Sequence, residues 1–122
     1  MLFNINKVVF FSIFIALMLL TSLVANEKSN KDLAIHHFMQ GEFLLNQGNY
    51  ALAVLEFQDA LDIDPNAPTI HISIADGYRR LGRPKHAENH LEIAIALDSN
   101  DISAREMLGQ LYLIILAVVF IT

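Results

Sequence analysis

The chain has 122 residues, the size of one domain, and no cysteine, which excludes disulfides, thiolate catalysis, thiolate metal sites and a lipid anchor on cysteine. Its net charge of −5 runs opposite to the positive patch with which nucleic-acid binders displace counterions from phosphates, so a nucleic-acid partner is not expected. At 54% hydrophobic and 17% charged it is more apolar than an ordinary soluble domain, where roughly 25% charged is usual; the excess sits in residues 8–25 and 111–121, around a stretch 26–110 of ordinary soluble composition.

The first predicted element is the N-terminal segment, 1–25. Lys7 is its only charged side chain, so removing the segment would move the balance from −5 to −6. After Lys7 come 13 residues, Val8 to Leu20, with Ser12 alone polar, and then Thr21-Ser22-Leu23-Val24-Ala25 ending on a small residue suited to cleavage. That order of parts is a signal peptide. The same 18 uncharged residues of 8–25, as a helix, rise about 27 Å, close to the hydrocarbon thickness of a bilayer, so a retained transmembrane anchor is the other reading. Either one places residues 26–122 outside the cytoplasm, in the periplasm or on the outer face of the inner membrane. The basic bias is weak, because Lys28 and Lys31 lie just beyond the segment. Residues 26–33 are expected to form a linker.

From residue 34 the chain repeats itself. A shift of 34 residues places His37 on His71, Gly48 on Gly82, Ala53 on Ala87, Ala60 on Ala94, Asp64 on Asp98 and Asn66 on Asn100. Glu42 with Asp76, Leu61 with Ile95, and Ile63 with Leu97 are conservative pairs; Leu44, Tyr78 and Tyr112 share a column. In unit 34–67 a first helix carries Phe38, Phe43, Leu44 and Leu45 and breaks at Gly48. A second carries Tyr50, Ala53, Val54, Phe57, Ala60, Leu61 and Ile63, spaced three and four apart as one apolar stripe. Asp64-Pro65-Asn66 stops it, since proline removes a donor and disfavours helix in the residue before it. In unit 68–101 the break is Gly82, and Pro84 stands where a first-turn proline is tolerated. Asp98-Ser99-Asn100-Asp101 ends that unit and offers a cap to the next helix. A third unit opens at Ile102, with Leu108, Gly109 and Tyr112, and runs into an apolar tail at 111–121 whose 11 residues are too few to span a bilayer.

The run Gly48-Asn49-Tyr50, Ala53, Phe57, Ala60-Leu61 and Ile63-Asp64-Pro65-Asn66 resembles the second half of a tetratricopeptide repeat, and Gly41 matches that family's glycine in the first helix. Small Gly41, Ala53 and Ala60 allow close helix approach while Tyr50 and Phe57 fill the space between. The second unit departs from the pattern: Ala75 replaces the glycine, Leu91 the aromatic, Pro84 the tyrosine and Ser99 the final proline. The resemblance covers 34–112 and implies an all-α fold, a stacked helix-turn-helix solenoid of about two and a half repeats behind an N-terminal hydrophobic helix, with 102–122 a partial third repeat or capping helix. One helix pair cannot bury its apolar face alone, so stacked neighbours share a core.

The resemblance also implies a function: the first helices of successive repeats line a concave groove that takes a segment of another protein. Carried onto this chain, the groove positions are Ile35, Phe38, Glu42 and Leu45, then Thr69, Ile72, Asp76 and Arg79, and in the partial unit Ser103, Glu106 and Gln110. Members that hold chaperone C-terminal carboxylates use lysines and asparagines there; Phe38, Glu42 and Ile72 stand at such places, which favours a partner segment with apolar anchors. The expected role is a protein-interaction scaffold in an envelope complex. A fragment of a longer repeat protein without a partner of its own is the alternative.

Chemistry finds little support. His86 and His90, four apart on one helix, have zinc-chelating spacing, but the metalloprotease pattern needs a glutamate where Ala87 stands; exposed, uncommitted histidines are the ordinary reading. Asp62-Ile63-Asp64-Pro65-Asn66 imitates a calcium loop, yet the required glycine is Ala67 and the closing glutamate is Ser73. Arg79, Arg80, Arg83 and Lys85 suit a helix C-terminus, or an acidic peptide. No catalytic residue, cofactor, metal or small-molecule substrate is expected. The partners expected are another protein and, where the first segment is uncleaved, the membrane.

Overall fold

The computed structural model describes residues 2–122, with side chains from residue 4 onward. Met1, which opens the expected 1–25 segment, lies outside the described residues. All regular structure among them is helical: α1 Leu2–Asn46, α2 Tyr50–Ile63, α3 Pro68–Arg80, α4 Pro84–Leu97 and α5 Ile102–Ile121. The chain divides into two units, Met1–Asp32 and Leu33–Thr122.

The first unit is helical throughout its described residues, and its apolar side chains are exposed, from Val8 and Phe10 to Leu23 and Val24. Helix without interruption has a local reason: neither glycine nor proline occurs before Gly41. Residues 26–33, expected as a linker, are therefore helical as well, since Glu27, Lys28 and Lys31 are good helix formers. Thr21 and Ser22 donate their hydroxyls to the Met18 and Leu19 carbonyls at 2.9 and 2.8 Å, which satisfies both without water. By length and composition, Asn4–Asn46 and Ile102–Ile121 are apolar enough to cross a membrane.

In the second unit the end of α1 and helices α2 to α5 keep the expected alternation. Gly48 and Gly82 adopt φ of 82° and 70°, the left-handed region that favours glycine. Around each, two backbone bonds close the preceding helix in the same way: Gly48 N–H to Leu45 and Asn49 N–H to Leu44, then Gly82 N–H to Arg79 and Arg83 N–H to Tyr78. These are Schellman closures, which satisfy carbonyls orphaned at a helix end. Pro68 and Pro84 open α3 and α4 at the first turn, where a missing N–H costs nothing. Asp101 caps α5 by accepting from Ser103 N–H at 2.8 Å.

The core forms two linked clusters. The first holds Leu45, Ala53, Phe57, Ala60, Ile70 and Ile74; the second holds Ala75, Ala87, Leu91, Ala94, Ala104 and Leu111; half-buried Tyr78 packs on both. Ala53, Phe57 and Ala60 recur 34 residues later as Ala87, Leu91 and Ala94, all of them essentially inaccessible. A Cβ added to Gly41 would lie 2.5 Å from the Phe57 ring, so this glycine is what admits the aromatic. In the second repeat both members change together: Ala75 is larger than glycine and Leu91 smaller than phenylalanine, and both are fully buried. Gly77, outside the repeat pattern, makes a second tight approach: its added Cβ would lie 2.6 Å from Val54 Cγ2. At Gly109, the third member of the Gly41 column, nothing lies within 4 Å of such a Cβ. Phe43, expected on the apolar stripe, is 57% exposed, because the stripe passes through Gly41, Leu44 and Leu45.

Candidate functional site

The expected groove residues fall on α1 and α3. Ile35 and Thr69 are exposed; Phe38, Glu42, Ile72, Asp76 and Arg79 are half-buried. Leu45 is 8% exposed and belongs to the first core cluster, so it presents little surface. Phe38 leans on Phe57 with ring centroids 5.8 Å apart. Ser73, which sequence reasoning missed, donates its hydroxyl to Glu42 Oε1 at 2.6 Å and ties α1 to α3 inside this row. Nothing in the sequence marks it, since the bond depends on how the two helices stack. Ser103, Glu106 and Gln110 on α5 are exposed.

Charge in the row is largely committed. Asp76 accepts from Arg79 at 2.5 and 3.1 Å and from Arg80 at 2.9 Å. The Arg80 guanidinium also lies 5.5 Å from the Tyr50 ring centroid, a cation–π distance. Two of the four cations of the basic cluster are thus held by their own helix, as expected of cations in a last turn.

The histidines differ from expectation. His86 is exposed and lies against Tyr78, ring centroids 5.0 Å apart. His90 is half-buried and is not uncommitted: its Nδ1 lies 3.0 Å from Nδ1 of His71, a side chain 4% exposed. The correction has a simple origin, since position 90 falls on the side of α4 that faces α3. His71 Nε2 lies 3.4 Å from the Pro65 carbonyl, which can only accept. Neutral His71 then holds its proton on Nε2, and His90 donates Nδ1–H to the bare Nδ1.

Burial first, then the charges of His71 and His86, hold the His90 pKa below its ordinary 6.5. The unfolded chain therefore takes up a proton that the folded chain resists. Above the ordinary value both states are neutral and nothing is lost; as pH falls below 6.5, stability declines until the folded pKa is reached. The groups facing His90 are His71 and Tyr78 of α3 and His86 of its own helix. Thermal unfolding measured from about pH 8 to about pH 5 should show a falling midpoint, and His90→Asn should flatten that slope. An unchanged slope in the variant would remove His90 from the account.

The comparisons with known proteins agree with this geometry. Residues 16–68 match the family model described as tetratricopeptide repeat. The first such domain of Spaghetti (RPAP3), solved with the HSP90 peptide SRMEEVD, is similar with a TM-score of 0.65 and 26% identity, over 66% of this chain and 64% of that one. The fold of this chain is that of tetratricopeptide-repeat domains. The Sgt2 tetratricopeptide domain from Aspergillus fumigatus has the same fold, with a TM-score of 0.62 and 23% identity over 64% of this chain and 52% of that one. The first tetratricopeptide domain of human RPAP3 gives 0.64 and 26% over 66% and 64%. Among curated proteins, Protein O-mannosyl-transferase F38B6.6 of Caenorhabditis elegans is 31% identical over 75 residues, which are 62% of this chain and 11% of that protein. The chain thus spans about a tenth of the length of the curated relative it matches. The tetratricopeptide fold is common ground between this chain and its structural neighbours.

Proposed function

We propose that residues 34–112 hold a segment of a partner protein along the row Ile35, Phe38, Glu42, Thr69, Ile72, Asp76 and Arg79, and that the N-terminal 1–25 segment exports or anchors this scaffold on the outer face of the inner membrane, for assembly of an envelope complex. The repeat units run 34–67, 68–101 and, in part, 102–122. The observation that carries the reading is the α1–α3 row itself: half-buried apolar Phe38 and Ile72 stand beside Glu42, whose carboxylate is fixed by Ser73. One neighbour, the first tetratricopeptide domain of Spaghetti (RPAP3), is solved with the peptide SRMEEVD, which supports a peptide segment as occupant.

That peptide is acidic, and the row here presents Glu42 beside the apolar Phe38 and Ile72, while Arg79 and Arg80 are both already paired with the single carboxylate of Asp76. Like charges across an interface suppress a partner. The segment that fits has apolar anchors for Phe38 and Ile72 and no acidic tail; helical and extended segments both meet that description. The scaffold needs no chemistry, and the transferase activity in the name of the worm relative belongs to a protein about nine times longer than the match.

Site-specific photo-cross-linking in native membranes tests the reading with the full chain. A photoreactive residue at Ile35 or Thr69 should give one discrete adduct, and one at Leu55, exposed on α2, should give none. Equal adducts from α2, or none from the row, would remove the groove from the proposal.

A further inference from the structure

We propose that His37, Glu56 and Asp59 form a site for a divalent transition metal, with zinc the best fit. The three lie on the two helices of the first repeat, His37 on α1 and the carboxylates on α2. Their ligand atoms all fall within 4.8 Å of one another, and His37 Nδ1 is already 2.8 Å from Glu56 Oε2. Zinc held at about 2.0–2.2 Å by imidazole and carboxylate places its ligand atoms roughly 3.3–3.5 Å apart. To reach that triangle the His37–Glu56 pair opens by roughly 0.5–0.7 Å and the exposed Asp59 side chain swings inward. Glu56 and Asp59, three apart, share a helix face.

The backbones behind these ligands are fixed. His37 is one turn before Gly41, Glu56 precedes Phe57, and the Gly41–Phe57 approach locks the two helices where the ligands meet. A nitrogen ligand among two carboxylates suits zinc and its neighbours, whereas calcium takes six to eight oxygens and magnesium retains its waters. His37 and Glu56 are partly exposed, which leaves the fourth position open to water.

The second repeat supplies an internal comparison. Thirty-four residues on, His37, Glu56 and Asp59 become His71, His90 and Ile93. The first two again bring ligand atoms together, Nδ1 to Nδ1 at 3.0 Å. Ile93 offers no third ligand, and the His71 nitrogens are engaged by His90 and Pro65. The repeat scaffold thus pairs these two positions in both units, and Asp59 completes the set in one.

Zinc titration of the full chain in detergent micelles by calorimetry, with cobalt absorption as a second readout of ligand geometry, tests the site. The chain should bind one equivalent of zinc, with no heat from magnesium. Glu56→Gln and Asp59→Asn should each weaken zinc binding by about 100-fold, since loss of even an outer-shell partner costs 10- to 100-fold. Asp59 is exposed, so its replacement leaves the helical circular dichroism unchanged and separates ligand loss from unfolding. His86→Ala and His90→Asn should bind as the wild type does. Absence of a saturable equivalent, binding indifferent to Glu56→Gln and Asp59→Asn, or binding lost in His90→Asn would each overturn the proposal.

Discussion

Phe57→Ala should lower unfolding free energy by about 3–5 kcal/mol, the usual cost of emptying a fully buried aromatic site. Phe57 is inaccessible and sits between α1 and its own helix, with Gly41 beneath the ring. A domain of this size has only roughly 5–13 kcal/mol in total, so the variant should be largely unfolded at modest denaturant. The sharper form of the prediction uses the chain's own second solution. Gly41→Ala alone drives a Cβ into the ring and should cost about 1–3 kcal/mol. Phe57→Leu alone leaves a partial cavity of similar cost. Together they recreate the pairing of Ala75 with Leu91, so the double variant should recover about 0.5–3 kcal/mol relative to the sum. Chemical denaturation of the four proteins measures this coupling. Strict additivity would mean that the two positions do not share one space.

Phe14→Arg with Leu17→Arg should abolish membrane targeting. Both side chains are more than half exposed near the middle of the uncharged stretch. Each arginine at the centre of a membrane helix costs about 2.5–3.5 kcal/mol on insertion scales, and together they reverse the sign for a segment whose other residues contribute a few tenths each. Fractionation should find the wild type in membranes or beyond them, and the double variant in the soluble cytoplasmic fraction. The mass of the mature wild-type chain then separates the two readings of the segment: loss of about the first 25 residues marks a signal, and an intact chain marks an anchor. Identical fractionation of the two proteins would mean that the exposed apolar band has another role.

Much of the architecture was legible because it rests on residues with strong local meaning. Gly48 and Gly82 each close a helix in a conformation other residues resist, and their spacing announces the period. Ala53, Phe57 and Ala60 recur as Ala87, Leu91 and Ala94, so the buried stripe could be drawn twice. The features that escaped depend on contacts between helices distant in sequence. Gly77 belongs to no repeat column, yet Val54 needs the space. His71 looked like an ordinary repeat identity and is a buried partner of His90. Leu45 shares a helix with Ile35, Phe38 and Glu42, which keep accessible surface, but turns into the core with Ile74. The bond from Ser73 to Glu42 spans 31 positions and carries no composition signal. Residues 26–33 looked like a linker because they are polar; polarity without glycine or proline is equally good helix on a solvent-exposed surface.

The stacking of helix pairs at a fixed interval underlies the proposed groove, the histidine pair and the proposed metal site alike, and amide hydrogen exchange on the full chain in micelles tests it most directly. Slow exchange should centre on Ala53 to Ala60 in α2 and return 34 residues later at Ala87 to Ala94 in α4, with Ile74 and Ala75 of α3 equally protected between them. The exposed turn residues Asn66 and Ser99 should exchange fast. Uniformly fast exchange across α2 to α4, or protection in only one of the two stripes, would contradict a shared repeat core.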